Sequence, residues 1–183
     1  SERPLMGSHS QDQHNPRLLR QLGVVPYQQR WPWLGGDLQT LRDTIRPLPL
    51  PDDQGEPIRI AVPALASGAA AAGELLAFLD PPLPTPAGDP VSPSALVLAL
   101  HGLGGSSRRE GLRRLVLTLQ RQGFAVLRLN LRGADPGRDL AGGTYAASCN
   151  SDLLPVMVRA RELCRQLAPS GSVLPLFGAG VSL

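Results

Sequence analysis

The 183-residue chain holds 20 Gly, 19 Pro and 2 Cys, is 42% hydrophobic and carries a formal net charge of +3. That is the length of about one domain with enough apolar residues for a packed core, which excludes a wholly disordered chain. All 18 basic residues are Arg, which excludes Schiff-base and P-loop lysine chemistry; two Cys without a C-x-x-C pair exclude a disulfide scaffold and a structural zinc site, and a weak charge with 4% aromatics argues against nucleic acid.

The first twenty residues have no apolar segment and do not form a signal peptide. Residues 1–50 read as an arm: polar and unpatterned to residue 16, then short apolar pieces broken by prolines. In it Trp31 and Trp33 stand beside a Gly-Gly turn, followed by a possible helical turn, and pack on the outside of a domain. Residues 51–183 read as the core. Ile58–Val62 and Glu74–Leu79 are short strands. The run from Ala61 to Leu79 is interrupted by Pro63, Gly68, Gly73 and Glu74 and is too polar for a spanning helix. The default expectation is a cytoplasmic protein, with Cys149 and Cys164 as small apolar fillers. Peripheral contact with a membrane stays open, as does the oligomeric state.

Residues 81–94 are dense in Pro and Gly and read as a loop. From residue 95 the pattern is regular. ALVLAL (95–100) is a strand buried on both faces, and HGLGGSS (101–107) is a Gly-rich turn. Arg108–Gln122 carries Leu112, Leu115, Val116 and Leu119 at helical spacing, and Gly123 ends it. FAVLRLNL (124–131) is a second strand and residues 132–145 a long loop. Asn150 or Ser151 caps a helix reaching Ala168, and SVLPLFG (172–178) is a third buried strand, weakened by Pro175. Strand, helix, strand, helix, strand implies an α/β fold with a mostly parallel sheet.

Two motifs carry chemistry. GVSL (180–183) follows a strand and matches four of the five positions of G-x-S-x-G, the elbow that presents a nucleophilic Ser182. In that elbow side chains at the flanking positions, here Gly178 and Gly180, would clash. HGLGG (101–105) follows another strand. In an α/β-hydrolase such a turn supplies one backbone N–H of the oxyanion hole, here Leu103, and the residue after the nucleophile, Leu183, supplies the second. His101, Gly102, Gly104 and Gly105 support that turn. Each motif alone is weak: a surface serine after a strand, or an ordinary Gly-rich turn, explains it. Together, about 80 residues apart with helix, strand and helix between, they stand in the order a hydrolase requires.

The chain resembles the YheT-like (EMB8-like) α/β-hydrolases over roughly Trp31 to Leu183. The resemblance rests on PWLGGDLQTL (32–41), LALHGLGGSS (98–107), FAVLRLNLRG (124–133) with its N-x-R-G turn, the Tyr145…Asp152 segment and FGAGVSL (177–183). Asp37 departs from a position where members often carry His, and Ala146, Ala147 and Ser148 replace a more polar stretch. The resemblance implies a partial α/β-hydrolase fold, the N-terminal strands and first two helices, and a serine carboxylester hydrolase acting on short, medium or lipid-like acyl esters, without cofactor or metal. Triad order in this fold is Ser, then Asp/Glu, then His. His9, His14 and His101 all precede Ser182, as do Asp135, Asp139 and Asp152. His101 is expected to stabilise the turn, and Asp152 to complement a helix N-terminus. The expectation is therefore an N-terminal piece of an esterase, inactive as written. A carboxylate on Leu183 would also repel an oxyanion by about 4 kcal/mol at 4 Å.

Two other readings compete. In a nucleotide-binding Rossmann domain GLGGSS (102–107) would cradle phosphate, with Arg128 and Arg132 placed for an NADP phosphate. The fingerprint fails at Ser107, and no Lys is present for a reductase pair. In a non-catalytic, degenerate fragment, the arginines at 108, 109, 113, 114 and 121 would meet an acidic surface or simply be solvated.

Overall fold

A computed structural model describes residues 20, 21, 23, 49–65, 68, 70–145 and 147–181. The chain divides into two compact units, Ser1–Pro49 and Leu50–Leu183. The pieces expected around Trp31 and Trp33 lie outside the described residues, as do Ser182 and Leu183.

The second unit is an α/β domain. Its elements are β1 (Glu56–Val62), β2 (Gly73–Asp80), β3 (Leu96–Leu100), α1 (Glu110–Arg121), β4 (Ala125–Leu129), α2 (Leu153–Gln166) and β5 (Leu176–Gly180), with 3-10 turns at Arg138–Leu140 and Ala147–Asp152. The five strands among the described residues form one sheet in the order β1-β2-β4-β3-β5. β3 pairs in parallel with β4 and β5, whereas β1–β2 and β2–β4 are antiparallel. The sheet is thus mixed. Residues 63–72 between β1 and β2 are too few for a crossover, so the chain must turn straight back.

Alternation along the strands builds two cores. Leu96 and Leu98 join Leu127 and Leu129 on one face, with Ile58, Ile60, Val62, Leu75 and Ala77, against Val156, Ala160, Leu163 and Cys164 of α2. Val97, Ala99 and Val126 form the opposite face against Leu112 and Val116 of α1. Cys164 is a buried free thiol, and burial pushes its pKa up. β5 departs from the buried strand expected. Among the described residues it pairs on one side only; it starts at Leu176 after Pro175 and leaves Phe177 57% exposed. No helix among the described residues is long and apolar enough to cross a membrane.

This topology locates a crevice. From β3 the chain passes through α1 to β4 on one side, then through α2 to β5 on the other side of β3. The two helices lie on opposite faces. Such a reversal opens a ligand crevice at the carboxyl ends of the strands, where HGLGG leaves β3.

Candidate active site

The turn after β3 is held by its own sequence. The Gly105 N–H donates to the Gly102 carbonyl at 3.0 Å. Gly104 has φ +68°, and among the described residues only glycines have a positive φ. A positive φ at the third position with a negative φ at Leu103 is the type II pattern, and it requires the glycine. Leu103 at the turn's second position is 88% exposed, and its N–H has no acceptor among the described residues. A Cβ on Gly105 would come within 3.0 Å of the Gly102 oxygen and 3.3 Å of His101. Gly104 and Gly105 therefore keep a backbone path that other residues would distort.

His101 anchors this turn to β4. Its Nε2 accepts from the Leu131 N–H at 3.0 Å, and its Nδ1 lies 2.8 Å from the Gly102 carbonyl. An acceptor at Nε2 and a donor at Nδ1 fix the neutral Nδ1–H tautomer. With both nitrogens engaged, His101 is not available to take a proton from a nucleophile. Asn130 holds the far side of the turn. Its Oδ1 accepts from the Ser107 N–H at 2.9 Å, while its Nδ2 donates to the Leu76 carbonyl at 3.1 Å.

The turn opens into a cleft of about 320 Å³ lined by His101, Gly102, Leu103, Gly104, Gly105, Ser106, Arg109, Arg132, Gly133, Ala134, Asp135, Arg138, Thr144 and Tyr145. β5 leads to the same edge, where the Val181 N–H donates to the Leu100 carbonyl at 3.0 Å. The described chain therefore stops beside the last residue of β3, one position before Ser182. Among the described residues a Cβ on Gly178 or Gly180 would meet nothing within 4 Å, and Ser182 and Leu183, which would complete the elbow, lie outside them.

Both arginines considered for a nucleotide phosphate are committed elsewhere. Arg132 is 2% exposed and bonds Asp152 twice, Nε to Oδ2 at 2.9 Å and Nη2 to Oδ1 at 3.0 Å. It also donates to the carbonyls of Gly142 and Pro63. It thereby ties the 132–145 loop and the segment after β1 to the start of α2. Asp152 does stand at the N-cap of α2, but its side chain makes no capping bond because it faces Arg132. Neither Asn150 nor Ser151 is the cap, since a 3-10 turn occupies Ala147–Asp152.

Arg128 is 1% exposed and lies between two carboxylates, Asp80 (2.6 and 3.0 Å) and Asp53 (2.6 and 3.0 Å). It also donates to the Ser107 carbonyl and stacks 5.3 Å from the Phe78 ring centroid. Its hydrogen bonds hold the Asp53 carboxyl down at about 2, whereas burial raises that of Asp80 despite the same guanidinium. A second cleft of about 250 Å³ beside this cluster is lined by Asp52, Asp53, Asp80, Arg113 and Arg128 among others. The arginine-rich face of α1 is largely used as well. Arg114 pairs with Glu110, Arg113 donates to the Pro51 carbonyl, and Arg108 stacks over Phe78. No group of His, Cys, Asp and Glu among the described residues could hold a metal.

No family model matches the sequence, and no curated protein does. The fold is similar to a lidless α/β serine hydrolase from Xanthomonas campestris, at 20% identity and TM-score 0.49 over 74% of this chain. It is also similar to an α-β serine hydrolase homologue from Coxiella burnetii, at 18% and 0.48 over 68%. A third likeness is to an esterase from Pyrococcus furiosus, at 14% and 0.46 over 73%. The chain spans about half of these proteins, 54%, 51% and 45% respectively.

Proposed function

We propose that the cleft is the acyl-binding site of a serine carboxylester hydrolase of the YheT-like type. In this reading residues 51–183 belong to its catalytic core, residues 1–50 to an accessory arm, and the protein works in the cytoplasm. The observation that carries the reading is the type II turn at the end of β3. Among the described residues it leaves the Leu103 N–H without an acceptor at the cleft, in the turn that follows the strand beside β5, which leads to Ser182.

Ser182 Oγ would attack the ester carbonyl and pass its proton to an imidazole base. The carbonyl oxygen, now negative, would be held by the N–H groups of Leu103 and Leu183. Collapse releases the alcohol and leaves an acyl-serine, which water hydrolyses to the carboxylic acid. His101 is excluded as the base because its Nε2 already accepts from Leu131. Asp152 is excluded as the residue that orients a base because Arg132 holds both of its oxygens. Neither residue therefore serves as the base or as its orienting partner. No cofactor or metal is needed for this chemistry.

Hydrolysis of 4-nitrophenyl butyrate, with and without added imidazole, tests the reading against the Ser182→Ala variant. The 183 residues alone are expected to give no Ser182-dependent turnover. Added imidazole is expected to give an increment that Ser182→Ala abolishes. Equal rates for the two proteins under both conditions would contradict the assignment of Ser182.

A further inference from the structure

We propose that the cleft selects esters bearing a carboxylate on the acyl chain, and that Arg109 and Arg138 recognise it. This inference rests on the ester-hydrolase reading of the same cleft.

The charges around the cleft do not cancel. Its lining holds Arg109, Arg132 and Arg138 against one carboxylate, Asp135. Arg132 is neutralised by Asp152. Arg138 pairs with Asp135 at 3.1 Å, but both side chains are mostly exposed. Such a pair contributes little and opens readily to an incoming anion. Arg109 has no carboxylate within ion-pair distance among the described residues. Its Nη2 lies 3.5 Å from the Gly104 carbonyl, at the limit of a hydrogen bond. The guanidinium is thus parked beside the turn that presents the Leu103 N–H, with its donors nearly unused.

One surplus positive charge matches a monoanionic carboxylate, and the planar guanidinium fork suits that group. Arg109 also occupies the N-cap position of α1, where the helix dipole adds to the attraction. Leu103, Ala134 and Tyr145 give the cleft an apolar wall for a short chain between the two ends. The substrate class is therefore the monoester of a short dicarboxylic acid.

Monomethyl glutarate and its neutral counterpart dimethyl glutarate distinguish the possibilities in an amide NMR titration of the full chain near neutral pH. Both are expected to shift the amides of Leu103, Gly104 and Gly105, with the monoanion binding about tenfold tighter at low salt. The preference should disappear in the Arg109→Gln, Arg138→Gln double variant and weaken in high salt. Arg161→Gln, on α2, should retain it. Equal binding of the two esters, or a preference that survives in the double variant, overturns the proposal while leaving the ester site intact. If neither ester shifts the turn amides, the ester-site reading fails with it.

Discussion

Two arginines, Arg128 on β4 and Arg132 just after it, are buried with their carboxylates, and they answer different experiments. Arg132 and Asp152 are both nearly inaccessible. Removing one partner leaves a buried charge without compensation, at about 3–5 kcal/mol. Asp152→Ala should lose that much in urea unfolding, whereas Arg132→Met combined with Asp152→Leu should recover most of it. A loss under about 1 kcal/mol in the single variant would show that the pair is not held as described.

Asp53 tests the other cluster through pH. Hydrogen bonding to Arg128 lowers its carboxyl from the ordinary 3.8 to about 2. The unfolded chain therefore takes up this proton first on acidification. The stabilisation is fully present above pH 3.8 and is lost as pH falls toward 2. Asp80 is raised by burial and works in the opposite sense, gaining stability as pH falls. Asp53→Asn should consequently show a smaller fall in urea midpoint through this window than the parent chain. Identical pH profiles would remove Asp53 from the cluster.

Elements were legible where their neighbours are local. The apolar runs after residues 95 and 124 became β3 and β4, and the 3.6-residue spacing of Leu112 and Val116 became the buried stripe of α1. The fate of β5 was not legible. An apolar run reports a capacity for burial, and whether a second strand or helix covers it depends on distant residues. The antiparallel pairing of β2 with β4 was hidden for the same reason, since it joins segments about 50 residues apart. The start of α2 misled because a cap rule is local, while the Asp152 carboxylate is claimed by Arg132 twenty residues earlier. At this scale Gly111 offers a clean perturbation. It lies in the first turn of α1, and a Cβ there meets nothing within 4 Å. Gly111→Ala should therefore stabilise the chain by about 0.5–1 kcal/mol through helix propensity alone. Thermal unfolding that shows a loss would mean that the helix start needs glycine.

For the molecule as a whole, the candidate site was half legible. The turn at 101–105 carries its glycines in sequence, and its position after a buried strand marked it. Arg109, Arg138 and Tyr145 reach the cleft from separate segments, and only the fold brings them to it. The buried commitments of Arg128 and Arg132 were equally invisible, and they remove the phosphate-binding role. Central to the proposed function is an oxyanion held by the Leu103 N–H. Position 103 permits an unusually selective test, because proline is favoured at the second position of a type II turn and lacks an N–H. With imidazole supplied as base, Leu103→Pro should lower the Ser182-dependent hydrolysis of 4-nitrophenyl butyrate by about 100- to 1,000-fold, while Leu103→Ala retains it. A Leu103→Pro protein that folds normally and keeps the parent rate would contradict the account.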